Sequence, residues 1–166
     1  MYSQNPVFIP GPTNIPERIR KACDMPTLDH RSPAFARLFR PAVAGDPTPP
    51  GYPFQRGEHW VIGTVGRQVH IKNPLMLVDA FISLAQSGVA GTERIRLAMV
   101  GDGPLQGEIA ERLRAAGLED KAWLPGVRSD VAEILRSLDC FVLPSLSEGT
   151  SCTLQEAMAT GLPIVV

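Results

Sequence analysis

The sequence has little of what would assign it to several common classes of protein. No apolar run approaches the twenty or so residues that a membrane-spanning helix needs, so no transmembrane segment is predicted. With 16 basic and 17 acidic residues, the chain shows no sign of the basic surface that nucleic acid requires. Three cysteines, an odd number, favour a reducing compartment over a disulfide framework. Prolines interrupt any signal-peptide core near the N-terminus, so the expected location is the cytoplasm.

Proline divides the chain into two parts. Eleven of the 16 prolines lie in the first 53 residues, and so proline-rich a stretch cannot hold regular helices or central strands for long. Residues 1–54 are therefore predicted to be an irregular arm and linker. Residues 55–166 are predicted to form the folded domain, and the chain is long enough for one domain with a real core.

Beyond the arm, short apolar runs alternate with helical patterns. The alternation, with short glycine-containing connections, predicts a Rossmann-like parallel sheet with flanking helices. The predicted elements are strand 59–66, helix 74–87, strand 95–101, helix 104–116, strand 121–124, helix 130–138, strand 139–144, helix 152–160 and strand 162–166.

Two acids near the end of the chain indicate a ligand site. Glu148 follows the apolar run 140–144 in a glycine-containing turn, and Glu156 lies on the helix predicted next. Carboxylates can hold sugar hydroxyls, and the N–H groups of a helix N-terminus can hold phosphate, so the segment favours a nucleotide-sugar site. Two alternatives remain open: Thr153 with Glu156 also fits a capping box, and Glu148 also fits a solvated loop acid.

Two cations stand where the first predicted strand ends. Arg67 and Lys72 lie in the loop after this strand, and Asn73 and Pro74 are typical of a helix N-cap and first helical position. Open α/β sheets bind ligands at the carboxyl ends of their strands. A guanidinium fork and an ammonium group suit a diphosphate, although each cation alone also fits an ordinary surface charge. His70, between them, is a further candidate contact to phosphate, and the three histidines show no metal-ligand spacing.

These segments, taken in order, resemble the donor-binding half of a retaining glycosyltransferase of family four, which has the GT-B fold. The resemblance runs from about Phe39 to Val166 and is strongest to sugar transferases of bacterial exopolysaccharide clusters. It implies the C-terminal half of such an enzyme, incomplete at its C-terminus and without an acceptor domain. The segments that carry it are Gly66-Arg67 with Lys72, Val100–Pro104, Leu124–Gly126, and Glu148 to Glu156.

The resemblance also implies a role for each matching position. Arg67 and Lys72 would hold the diphosphate of a UDP- or GDP-sugar, Glu148 would meet the donor sugar as the catalytic residue, and Glu156 would hold the ribose hydroxyls. No cofactor is implied, and the acceptor would be a glycan or a lipid-linked acceptor. Many family members have Phe-Gly where this chain has Thr150-Ser151. The remaining implied contacts, to the phosphates and the base, are Gly149, Thr150, Ser151, Val127 and Arg128.

The arm carries a second resemblance. Residues 5–36, with the strings PGPTNIP and DHRSP, resemble the N-terminus of a serine–glyoxylate or alanine–glyoxylate aminotransferase, with a junction near residues 34–40. That family uses pyridoxal phosphate, which needs a lysine and an acid set in a large cofactor domain. None of Lys21, Lys72 and Lys121 has this setting, so pyridoxal phosphate is not expected. A non-catalytic nucleotide-binding fusion and an aminotransferase-like fragment remain as alternatives.

Overall fold

The computed structural model describes residue 37 and residues 39–166. Strands and helices alternate along the chain, as predicted. Short 3-10 helices span His70–Lys72, Thr92–Arg94 and Glu119–Lys121. The elements are β1 (Trp60–Val65), α1 (Pro74–Ala85), β2 (Ile95–Val100), α2 (Gln106–Ala115), β3 (Ala122–Gly126), α3 (Val131–Arg136), β4 (Cys140–Val142), α4 (Cys152–Ala159) and β5 (Ile164–Val165).

The five strands form one parallel sheet in the order β3-β2-β1-β4-β5. Ile62 in the central strand β1 is opposite Leu97 of β2 on one side and Cys140 of β4 on the other. The chain proceeds outward from β1 to β2 and β3, and then crosses to β4 and β5 on the other side of β1. The strand order therefore reverses between β1 and β4, and parallel sheets open a crevice at such a point. This topology confirms the predicted Rossmann-like fold.

Helices cover both faces of the sheet, which explains why the strands read as continuous apolar runs. The first face packs against α1 and α2 through Phe81, Ile109 and Leu113, which lie against Leu97 and Met99 of β2. On the second face α3 and α4 pack through buried residues that include Ala132, Leu135 and Ala157, against Val61, Ala98 and Phe141 of the sheet.

Residues 39–54, which the sequence assigns to the arm and linker, contribute to the core of the second face. Phe39 and Phe54 are 7% and 5% exposed. The ring of Tyr52 packs edge-on against Phe54 and Trp123, with ring centroids 5.4 and 5.0 Å away. Proline prevents regular hydrogen-bonded structure here, but it does not prevent aromatic side chains from packing on a neighbouring sheet. The packed unit therefore extends back to Phe39.

Some predictions fall on parts of the chain that the structure does not describe. The aminotransferase-like segment 5–36 lies outside the described residues. Among the residues that are described, no helix combines the length and apolar character that crossing a membrane requires.

Candidate functional site

A cleft of about 240 Å³ opens at the carboxyl ends of β1 and β4, where the strand order reverses. One wall is the loop between β1 and α1, and the other is the loop between β4 and α4 with the first residues of α4. A backbone hydrogen bond from Leu146 N to Ile71 O, 2.9 Å long, joins the two walls. The cleft brings together five of the predicted site residues, namely Arg67, Lys72, Glu148, Thr150 and Ser151.

The loop that carries Arg67 is packed tightly against the loop between β2 and α2. A Cβ atom at Gly101 would lie 2.1 Å from the carbonyl oxygen of Gly66, and one at Gly103 would lie 2.4 Å from that of Gln68. Both glycines also have positive φ angles, 124° and 155°. The Gly101–Gly103 segment therefore fixes the position of the loop that bears Arg67.

Helix α1 begins at Pro74 with Asn73 at its N-cap position, as predicted, although the side chain of Asn73 does not cap the helix. Asn73 has a φ of 48°, in the left-handed region that asparagine tolerates better than most residues, and its side chain makes no capping hydrogen bond. Its backbone N–H donates to His70 O at 2.9 Å and closes the 3-10 turn. This turn brings Lys72 to the cleft, whereas His70 is exposed and is not among the lining residues.

Lys72 and Glu148 form an ion pair across the cleft. Lys72 Nζ donates to Glu148 Oε1 at 2.5 Å, and Ser145 Oγ donates to the same oxygen at 2.6 Å. Partial burial raises the pKa of Glu148, but the hydrogen bonds from Lys72 and Ser145 outweigh it, so the pKa lies below its ordinary value. Glu148 is thus not the freely solvated loop acid of the alternative interpretation.

Arg67 differs from Lys72 in having no ion-pair partner among the residues that the structure describes. Its side chain is exposed at the mouth of the cleft. The cleft therefore presents one unpaired cation, Arg67, and one cation held by an acid, Lys72.

Helix α4 directs its N-terminus at the cleft. Ser151 is its N-cap, and Ser151 Oγ accepts a hydrogen bond from Leu154 N at 3.3 Å. The remaining N–H groups of the first turn lack partners within the helix and favour an anion. Thr153 lies inside the helix, two residues after the N-cap, so the capping-box interpretation of Thr153 and Glu156 is wrong.

Glu156 lies in the second turn of α4 and does not line the cleft. Its carboxylate is half-buried and makes no hydrogen bond or ion pair with any described residue. Burial raises the pKa of Glu156, because no neighbouring donor compensates for the lost hydration. A carboxylate in this state is available to accept hydrogen bonds from a ligand.

The other predicted contacts do not line the cleft. Gly149 is exposed in the loop between the lining residues Glu148 and Thr150. Val127 is 70% exposed in the loop after β3. The side chain of Arg128 folds back over the ring of Trp123.

Arg128 also uses its guanidinium elsewhere, because it donates to both carboxylate oxygens of Asp130, at 2.8 and 2.7 Å. The guanidinium of Arg128 is therefore engaged within the protein.

The cleft also contains residues that the sequence patterns did not single out. Thr64 is the next-to-last residue of β1, and Gln68 directly follows Arg67. A polar residue beside a predicted phosphate-binding cation is a signal that could have identified Gln68. In residue 37 and residues 39–166, no group of His, Cys, Asp and Glu side chains is arranged to hold a metal ion. The further lining residues that carry polar or thiol groups are Ser145, Cys152 and Thr153.

Comparison with solved structures identifies this architecture. The C-terminal domain of a group 1 glycosyl transferase family protein, LpcC, from Francisella tularensis superposes with a TM-score of 0.62 at 21% identity, covering 78% of this chain and 67% of that one. The Anabaena protein Alr3699/HepE, in complex with UDP and glucose, superposes with a TM-score of 0.56 at 23% identity, covering 64% and 29%. At these identities the likeness shows a shared fold.

A short match supports the second resemblance. The chain is 71% identical over 45 residues to L-aspartate–glyoxylate aminotransferase of Paracoccus denitrificans, which is 27% of this chain and 11% of that protein. The match agrees with the aminotransferase-like N-terminal segment predicted from the sequence.

Glycosyltransferases account for a longer part of the chain. The putative glycosyltransferase EpsF of Bacillus subtilis is 38% identical over 106 residues, and an Escherichia coli UDP-Gal:α-D-GlcNAc-diphosphoundecaprenol α-1,3-galactosyltransferase is 34% identical over 108. Each match covers 64% of this chain but only 27% of the relative, so the chain spans about a quarter of these proteins. The family model for group 1 glycosyl transferases matches residues 59–166, and the chain therefore belongs to that family.

Proposed function

We propose that this chain is the donor-binding part of a retaining glycosyltransferase, which moves a hexose from a UDP- or GDP-sugar to a glycan or lipid-linked acceptor. One observation supports this most directly. The cleft at the reversal point has Arg67 and Lys72 on one wall, and Glu148 and the N-terminus of α4 on the other. Cations and helix N–H groups suit a diphosphate, and the acid beside them suits the hydroxyls of the sugar attached to it.

The cations would serve both binding and chemistry. A nucleoside diphosphate leaving group gains negative charge as the bond to the sugar breaks, and donors already fixed in place stabilise that charge without reorganisation. Arg67 offers a planar fork, and Lys72 offers a mobile point charge that must first leave Glu148. Glu148, once released, can accept hydrogen bonds from the sugar.

The nucleoside would extend along the carboxyl edge of the sheet. Neighbouring strands are spaced by about 4.8 Å, so the loop after β3 lies about 10 Å from the end of β1. This is within the reach of a nucleoside attached to a diphosphate beside Arg67. Glu156, with its unpaired carboxylate, is the group that we assign to the ribose hydroxyls, and the backbone at Val127 and Arg128 is assigned to the base.

The names of the similar proteins support the proposed substrates. The Escherichia coli relative is named for a UDP-sugar donor and a lipid-linked acceptor, and the Anabaena structure contains UDP and glucose. The chain spans about a quarter of its curated relatives, so transfer by these 166 residues alone is not expected, whereas donor binding is.

We propose no role for pyridoxal phosphate. A Schiff base requires a lysine with a free amine beside the cofactor. Of the two lysines in the described residues, Lys72 donates to Glu148. Lys121 lies in the 3-10 turn before β3, at the amino end of the sheet, whereas the cleft lies at the carboxyl end.

Isothermal titration calorimetry with UDP, GDP, pyrophosphate and pyridoxal phosphate tests the proposal. UDP or GDP is expected to bind, and pyridoxal phosphate is not. Replacing Arg67 and Lys72 together by alanine should weaken nucleotide binding by about 1.5–3 kcal/mol for each charged hydrogen bond lost. The matched control replaces Arg114 and Lys121, two cations outside the cleft, and should leave the affinity unchanged. If both double variants bound the nucleotide with equal affinity, Arg67 and Lys72 would have no special role in nucleotide binding.

A further inference from the structure

Gln68 is a buried polar residue in the wall of the cleft. It is 3% exposed, yet it is among the residues that line the cavity. Its backbone is fixed at two points, because its N–H donates to Asp102 O at 2.7 Å and its carbonyl accepts from Leu105 N at 3.2 Å. These two bonds hold the backbone of Gln68 to the loop between β2 and α2.

The two ends of the Gln68 amide have different surroundings. Nε2 donates to Gly101 O at 3.1 Å. Oε1 is buried and has no hydrogen-bond partner among the described residues. Because a carbonyl oxygen only accepts, rotating the amide would place two acceptors together, so Gly101 fixes which end is Nε2.

A buried acceptor without a partner is unusual, because it has lost its hydrogen bonds to water and gained none. Donor groups are present among the other residues that line the cleft, including Arg67, Lys72 and Thr64, but none donates to Oε1. The missing donor is therefore expected to belong to whatever fills the cleft.

We propose that Gln68 Oε1 accepts a hydrogen bond from a hydroxyl group of the nucleotide sugar, an inference that rests on the proposed function. An ionised diphosphate has only acceptor oxygens and cannot satisfy Oε1. The base is assigned to the loop after β3, two strands away. The remaining donors are the hydroxyls of the ribose and of the transferred sugar, and Gln68 selects ligands that carry one of them in this position.

The test compares Gln68→Leu with the wild-type chain by calorimetry, using UDP, UDP-glucose and pyrophosphate. Loss of one hydrogen bond should weaken binding about three- to tenfold. If the ribose supplies the hydroxyl, UDP and UDP-glucose both weaken; if the transferred sugar supplies it, only UDP-glucose weakens. Pyrophosphate has no sugar hydroxyl and should bind both proteins equally.

Gln86→Leu is the matched control, because Gln86 Nε2 also donates to a backbone carbonyl, that of Ala116 at 3.3 Å, but lies at the end of α1 outside the cleft. This variant should bind all three ligands like the wild type. Thermal unfolding without ligand checks that each variant folds. If Gln68→Leu does not fold, Gln68→Met, which keeps the unbranched shape, takes its place.

Two results would overturn the proposal. Unchanged affinity for both UDP and UDP-glucose would mean that no ligand hydroxyl reaches Oε1. Weaker binding of pyrophosphate would mean that Gln68 only holds the loop of Arg67 in position. A wild-type chain that binds none of the three ligands would instead refute the proposed function on which the inference rests.

Discussion

Replacing Glu148 with glutamine is expected to tighten the binding of a nucleoside diphosphate that carries no sugar. In the structure Lys72 Nζ donates to Glu148 Oε1 at 2.5 Å, so a diphosphate must compete with this carboxylate for the lysine. The pKa of Glu148 is lowered, so the carboxylate carries its full negative charge at neutral pH. Glutamine keeps the size of the side chain and removes the charge.

The expected gain follows from the exposure of the pair. The side chains of Lys72 and Glu148 are 29% and 19% exposed, and a partly exposed ion pair stabilises by about 0.5–1 kcal/mol. Without that competition UDP should bind about two- to fivefold more tightly. A nucleotide sugar should respond in the opposite direction, because an uncharged amide is a weaker acceptor for the sugar hydroxyls than a carboxylate.

Calorimetric titration of the variant and the wild type with UDP and UDP-glucose at neutral pH measures both effects. Glu108→Gln is the matched control, because Glu108 also accepts from a cation, Arg112 at 2.6 Å, but lies on α2 away from the cleft. The control should change neither affinity. Weaker UDP binding in Glu148→Gln would refute the reasoning, since it would show that the acid supports the phosphate site rather than competing with it.

Three further predictions concern stability. Burial raises the pKa of Glu156, so Glu156→Gln should raise the unfolding temperature at neutral pH, and this gain should disappear as the pH falls through the raised pKa to the ordinary value of 4.5. UDP binding should weaken while pyrophosphate binding does not, and no gain in stability would contradict the assigned burial. Gly101→Ala should lower the free energy of unfolding, measured by urea denaturation, by about 2–4 kcal/mol, because the new Cβ would meet a backbone carbonyl at 2.1 Å. The control Gly107→Ala, in open space within α2, should leave the free energy of unfolding unchanged or raise it. Deleting residues 1–36 should leave the unfolding temperature unchanged, and a large fall would show that the arm packs on the domain.

The fold could be predicted because its strands are buried on both faces. In β2 every residue from Ile95 to Val100 except Arg96 is buried, so the strand reads as one apolar run that ends at Gly101. The predicted division between the arm, residues 1–54, and the folded domain does not mark where the packed unit begins. The sequence near Phe39 and Phe54 is rich in proline, which disfavours regular helices and strands but carries no information on where aromatic side chains pack.

The site could be predicted in outline because parallel strands place their carboxyl ends at one edge of the sheet. Arg67, Lys72 and Glu148 each follow a strand by a few residues, so the topology alone brings them together. Their pairing could not be predicted, because Lys72 and Glu148 are 76 positions apart and a hydrogen bond depends on side-chain direction as well as proximity. The left-handed backbone of Asn73, which directs Lys72 to the cleft, has no clear signature in the sequence.

The burial of Phe39 and Phe54 limits where this domain can be cut or exchanged between proteins. The family match begins at residue 59, but the packed unit begins at Phe39. Truncating one buried phenylalanine costs about 3–5 kcal/mol, and a whole domain is stable by only about 5–15 kcal/mol. A piece cut at the family boundary would lose both rings. Recombination between genes is therefore expected to preserve the stability of this fold best when the crossover falls before Phe39, close to where the aminotransferase-like sequence gives way to the glycosyltransferase.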